Sequence, residues 1–209
     1  MEIKRTQASR TEATRAALVA AARPLFAERG FAAVGTDELA RAAGVTRGAL
    51  YHQFDGKTEL FAAVFEQVED EIAQSIGNQV LASGAEDPVA ALRVGVDAWL
   101  AACADPDVHR IVLIEAPAAL GWERWREIGR RYGVGLVEAT LAAVIEQGIL
   151  PPQPVRPLAH VLVGAIEEAA LYASRAANRD VATDQVRAAL HQLVDALTTS
   201  AQAASGPGG

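Results

Sequence analysis

Residues 36–54, TDELARAAGVTRGALYHQF, decide the fold. They read as helix, tight turn, helix. Thr36 stands where a side-chain oxygen can cap a helix, and Asp37 and Glu38 follow where its dipole favours negative charge. Gly44 supplies the permissive backbone of the turn. Thr46 opens a second helix to Phe54, which Asp55-Gly56 breaks. Leu39, Ala40, Ala43, Val45, Ala49, Leu50 and Phe54 are spaced to knit the two helices at a steep angle. Thr46, Arg47, Gly48, Tyr51 and His52 are left outside, hydrogen-bonding groups around a residue with no side chain. A helix about 10–12 Å across fits the major groove of duplex DNA, and its first residues reach base edges. Arg47 is suited to a bidentate contact with guanine, while Tyr51, His52, Thr36 and the backbone N–H of Lys57 are placed for phosphates. Lys57 adds charge at a helix start that already attracts anions.

Outward from this stretch the periodicity is helical throughout. Residues 11–29 repeat Ala13, Ala17, Leu18, Ala21, Leu25 and Phe26 at three- and four-residue steps, with Gly30 as C-cap and Pro24 set to bend the helix. Lys57 opens a fourth helix to Leu81, whose apolar face carries Leu60, Phe61, Val64, Phe65, Val68 and Ile72. After a loop at 83–87, helices are expected over 88–103, 106–120, 122–147, 158–177 and 181–199, with a proline-rich turn at 148–157. The fold class is all-α, about nine helices without a strand. The expected domains are a helix-turn-helix DNA-binding domain at 1–56, a helical ligand-binding and dimerisation domain at 57–199, and a disordered tail at 200–209.

Composition agrees and excludes much else. The 209 residues are 51% hydrophobic but only 5% aromatic, with alanine commonest, which favours helix over sheet. A single cysteine excludes a disulfide framework and no cysteine pair suggests zinc, so no metal is expected. Residues 1–10 lack an apolar signal core and no apolar run approaches a membrane span, so a cytoplasmic protein without a membrane is expected. The net charge of −7 is unevenly spread. Residues 1–60 hold nine Lys/Arg and seven Asp/Glu (+2), whereas residues 61–209 hold ten and nineteen (−9). Polyanion binding needs positive charge only where the polyanion lies.

The run LVAAARPLFAERGFAAVGTDELARAAGVTRGALYHQFDGKTELFAAVF combines a first-helix LF-x-E-x-GF, the turn AAGVTRGALY and the exit FDGKTELF. With these spaced features, residues 10–65 resemble the DNA-binding domain of the TetR (tetracycline-repressor) family of one-component bacterial regulators. The resemblance implies that Thr46, Arg47, Tyr51, His52 and Lys57 face DNA. It departs at Gln53, where many members carry histidine. It also implies a homodimer formed through the eighth and ninth helices, an operator on double-stranded DNA and a small-molecule effector.

The second part supplies candidates for both roles. Leu158, Val161, Leu162, Ala165, Ile166 and Ala169, with Val186, Ala189, Leu190, Leu193, Val194 and Leu197, form stripes that would pack as a four-helix bundle across a two-fold axis; completing a monomeric core is the other reading. Phe65, Trp99, Cys103, Trp122, Trp125, Tyr132 and Tyr172 are candidates for the lining of a ligand cavity. Glu115 and Glu168 fall in apolar stretches, either to bind a cationic group or to pair with Arg110 or Arg124. Tilting the fourth helix would carry a ligand signal to the DNA-reading helices.

Rival classes find little here. His52, His109, His160, His191 and Cys103 are scattered, and GxSxG, HExxH and phosphate-loop patterns are absent. Gly133 and Gly135 lie within a helix and do not follow a strand. Neither an enzyme nor a cofactor is expected. A helical adaptor that binds only other proteins is the alternative.

Overall fold

The computed structural model describes residues 7–85 and 87–204, and among these there is helix and turn but no strand. The rods are α1 (Gln7–Arg29), α2 (Thr36–Ala42), α3 (Arg47–Gln53), α4 (Lys57–Ala82) and α5 (Pro88–Ala104). Next come α6 (Pro106–Val108, a π-helical stretch His109–Glu115, then Ala116–Leu120), α7 (Trp122–Glu146), α8 (Val155–Arg175) and α9 (Arg179–Ala204). The all-α expectation therefore holds. Lys4 and Arg5, which the sequence offers as an arm along the DNA backbone or a frayed terminus, and the last five residues of the expected tail lie outside the described residues.

Several boundaries differ for physical reasons. α9 continues to Ala204, so residues 200–204, expected as tail, are helical; alanine there prolongs the helix at little entropic cost. α8 begins at Val155 rather than Leu158, because Pro157 sits in the first turn, where its missing N–H would have had no partner. α1 runs through the exposed Pro24 as one element. In α6 the wide register ends immediately before Pro117, with the Ala116 N–H reaching back to the Ile111 carbonyl. Proline cannot donate to the carbonyl four residues back and its ring crowds it, so the extra residue per turn relieves the conflict.

The chain divides into two compact units, Met1–Val68 with Pro106–Arg126, and Glu69–Asp105 with Glu127–Gly209. In the first, α1, α2 and α3 pack on one another through Leu18, Phe26, Leu39, Leu50 and Phe54. Phe61 of α4 meets the rings of Phe26 and Phe31 edge-on, at 5.0 and 5.4 Å. Helix α6 packs against α1, which local periodicity does not reveal. The Phe31 N–H donates to Glu115 Oε2 at 2.9 Å and Arg110 Nη1 donates to the Glu28 carbonyl at 3.1 Å. Arg124 grips Glu59 through two hydrogen bonds of 2.6 and 2.7 Å.

In the second unit Val89, Leu141, Val144, Leu150, Ala159 and Leu162 form the core shared by α5, α7, α8 and α9. α5 is stitched to α9 by Arg93 to Asp195 (3.0 Å from Nε) and by Arg187 to Asp97 (3.3 Å). Among the described residues no helix is long and apolar enough to cross a membrane.

Candidate functional site

Helix α3 is anchored from one side. Leu50 and Phe54 are buried, while Arg47, Gly48, Tyr51 and His52 are all exposed. Thr46 holds the start, its Oγ1 accepting the Ala49 N–H at 3.1 Å. Gly44 occupies the turn at φ +67°, a conformation that suits glycine. Apart from Thr46 Oγ1 at 3.9 Å, the space where Gly48 would carry a side chain is open, so a flat partner can approach the backbone.

The exposed groups are not independent. Arg47 Nη1 lies 3.1 Å from Asp37 Oδ1, and its guanidinium carbon is 5.5 Å from the centre of the Tyr51 ring. A side-chain hydrogen bond to Thr36, and then one to Arg47, hold the Tyr51 hydroxyl below the ordinary tyrosine range. Thr36, Asp37, Arg47 and Tyr51 thus form one network across α2 and α3. Thr36 is the first residue of α2 and Gly35 is its N-cap, so the Thr36 side chain serves Tyr51 and not the expected cap.

The second unit contains a cavity of about 100 Å³. It is large enough for a small organic molecule, since a single water needs only about 10–15 Å³ of such space. Its wall is apolar, with Ile72, Ile76, Val96, Trp99, Leu136 and Val163 among the lining residues. Glu69 from α4 and Glu167 from α8 are the charged residues of that wall among the described residues. A Cβ built on Gly129 would lie 3.6 Å from Glu167 Oε1 and 3.9 Å from Glu69 Oε1, so both carboxyls flank that glycine. Burial, and then the neighbouring Glu167, push the Glu69 carboxyl up to about 8. Trp99 Nε1 is buried without a hydrogen-bond partner among the described residues.

Comparison with known proteins decides the family. Residues 18–64 match the family described as "Bacterial regulatory proteins, tetR family", and residues 89–197 match "Tetracyclin repressor-like, C-terminal domain". The Tn10 TetC protein of Escherichia coli is 30% identical over 174 residues, 83% of this chain and 86% of that protein. The chain belongs to the tetR family. A TetR-family transcriptional regulator from Pectobacterium atrosepticum is 34% identical, with a TM-score of 0.79 over 93% of this chain and 98% of the other. RolR, solved with resorcinol bound, has a TM-score of 0.75 over 96% and 97% of the two chains but only 22% identity, a likeness of fold alone. This TetR-family chain is accordingly a DNA-binding transcriptional regulator.

The structure distributes the expected residues unevenly. Thr46, Arg47, Gly48, Tyr51 and His52 share the outer side of the second helix of the motif, with Thr36 alongside. The Lys57 side chain also has partners within the protein. Its Nζ donates to the carbonyls of Phe31 (2.8 Å) and Val34 (3.0 Å) and lies 4.2 Å from the Phe31 ring centre, both carbonyls belonging to the turn between α1 and α2. Its ammonium braces the turn; its backbone N–H still begins α4.

Of the cavity candidates, Trp99 and Tyr132 line it. Phe65 is buried in the first unit, and Cys103 is buried off the wall, its thiol pushed up by burial and then by Glu69. Glu115 turns to Phe31 and Arg110, the pairing alternative rather than the cation-binding one. Trp125 is buried with Nε1 donating to the Val112 carbonyl at 2.9 Å, and the half-exposed Trp122 stacks against it. Tyr172 is 60% exposed and Glu168 points outward, while its neighbour Glu167 reaches the cavity. One residue along a helix is a rotation of about 100°. Glu69 was missed. Its signal was legible: it falls on the Phe65, Ile72, Ile76 face of α4, three and four residues from apolar neighbours.

The expected interface also divides. Leu162 and Leu190 are buried and line the cavity, Leu193 lines it while 38% exposed, and Val161 (65% exposed) points outward. Leu158, Ala165, Ala169, Val186 and Leu197 are half-buried and Ala189 is exposed.

Proposed function

We propose that this TetR-family chain is a ligand-responsive repressor that binds a palindromic operator as a homodimer and releases it when a small molecule enters the cavity of the second unit. The observation that carries the reading is the outward side of α3, where Arg47, Gly48, Tyr51 and His52 are exposed around an anchored, capped helix. In this reading α3 lies in the major groove, Arg47 reads a base edge, and Tyr51 with Thr36 holds a phosphate. Two copies present two such helices, matched to half-sites about 34–36 Å apart. The outward residues Val161 and Tyr172 supply apolar surface for pairing.

Helix α4 gives residues 57–68 to the first unit and 69–82 to the second, so a ligand that prefers one setting of this helix shifts the population of DNA-competent protein. A coupling of about 1.4–2.7 kcal/mol lowers operator affinity tenfold to a hundredfold.

Fluorescence anisotropy with DNA from upstream of the chain's own coding sequence, at two salt concentrations, tests this. Tight binding that falls steeply with salt is expected, because released counterions drive phosphate contact. Arg47→Ala should relax sequence preference. Absence of DNA binding at both salt concentrations would favour an adaptor that recognises only protein.

A further inference from the structure

The cavity of the second unit has a composition that selects its occupant. Its wall is apolar apart from a few polar groups, and among the described residues it holds no lysine, arginine or histidine. Two carboxyls nevertheless converge there. Glu69 is 4% exposed, faces the cavity from α4, and finds neither donor nor cation among the described residues. Glu167 enters from α8, and the two flank Gly129, where the missing side chain leaves room between them.

A carboxylate taken out of water without compensating charge is costly, and a second carboxyl nearby makes it more so. An anionic molecule would meet repulsion from the pair. A neutral apolar one would leave the charge as it found it. A cation brings what the wall lacks.

We propose that the cavity binds a small monocation, a protonated amine carried on an apolar body, with its charged head seated between Glu69 and Glu167 beside Gly129. This rests on the ligand-responsive reading and names the chemical class that this site takes. The apolar body lies against Ile72, Val96 and Trp99. The raised Glu69 carboxyl fits this arrangement, since an incoming cation drives its proton off and strengthens as pH climbs. The titratable groups around it are Glu167 from α8, Tyr132 from α7 and Cys103 from α5.

Three probes of one shape but different charge test the proposal on the full-length protein: hexylammonium, hexan-1-ol and hexanoate, with binding measured calorimetrically. Hexylammonium is expected to bind about tenfold or more tightly than hexan-1-ol, the ratio of a charge-assisted to a neutral hydrogen bond, with hexanoate weakest. Glu69→Gln and Glu167→Gln, which keep shape, should each remove most of that preference while leaving hexan-1-ol binding within about threefold. Gly129→Ala, whose methyl fits at ordinary contact distance, should weaken hexylammonium more than hexan-1-ol. Hexan-1-ol binding as tightly as hexylammonium overturns the proposal. So does failure of all three to bind, or a preference that survives both glutamine variants. Operator binding by the same ligand-free samples separates the two readings: if it persists while charge selection fails, only this proposal falls.

Discussion

The backbone N–H of Phe31, just past the end of α1, donates to the carboxylate of Glu115, 84 residues further along. That one bond ties α6 to the turn leading into the DNA-reading motif. Arg110 completes the clasp, at 3.5 Å from Glu115 and bonded to the Glu28 carbonyl. Gly30 makes the approach possible: it sits at φ +81°, and a side chain there would collide with Glu115 Oε1.

Glu115→Ala should therefore destabilise the protein by about 1.5–3 kcal/mol, the range for a hydrogen bond to a charged group, and Glu115→Gln by less. Urea unfolding followed by circular dichroism measures both. Gly30→Ala should be at least as harmful, through backbone strain and collision together. Because both act on one contact, the double variant should lose less than the two single losses added. Strict additivity would show that the clasp is not a unit.

Arg47 is held by Asp37 in the DNA-free protein. An exposed pair of this kind adds little to stability, so Asp37→Asn should leave the unfolding midpoint nearly unchanged. It should raise DNA affinity and steepen its salt dependence, since a repelling charge beside the phosphates is removed. Anisotropy titration at two salt concentrations reads this directly, and unchanged affinity would place Asp37 clear of the DNA.

For Lys57 the expected phenotype is structural. Lys57→Met keeps the apolar stem over Phe31 and removes the ammonium from two carbonyls, leaving them to find water. A stability loss of about 1–3 kcal/mol is expected in urea unfolding. Added salt should not restore it, as it would mask a lost phosphate contact. A variant with native stability and weakened DNA binding alone would assign the ammonium to DNA.

Glu69 makes stability depend on pH in a definite direction. Its carboxyl stands at about 8 in the folded protein against an ordinary 4.5, so the folded state keeps a proton that the unfolded chain releases. The unfolded state binds fewer protons in that window, and stability falls as pH rises from about 4.5 to about 8, by at most about 1.4 kcal/mol per pH unit. Glu69→Gln does not titrate. Its thermal midpoint should gain on the wild type between pH 5 and pH 8 and then run parallel, and a constant difference would mean that Glu69 is ionised throughout.

Much of this was legible along the chain because its causes are local. Gly44 at a positive φ, Thr46 over the Ala49 N–H, and Leu50 and Phe54 at helical spacing act within a few residues, so type and order alone expose them. Tryptophans and tyrosines carried no comparable signal: Trp99 and Tyr132 line the cavity while Trp125 and Tyr172 do not, and an aromatic ring suits either place.

By itself, the order of residues determined an all-helical chain, its capped recognition helix and the family to which that helix belongs, since periodicity and capping are settled between near neighbours. Only the tertiary structure decided that Lys57 braces a turn, that α6 clasps α1 through Glu115, and that Glu167 rather than Glu168 shares a cavity with Glu69. Those outcomes depend on partners 23 to 98 positions away, and on which way a helix is rotated when its apolar side finds a neighbour.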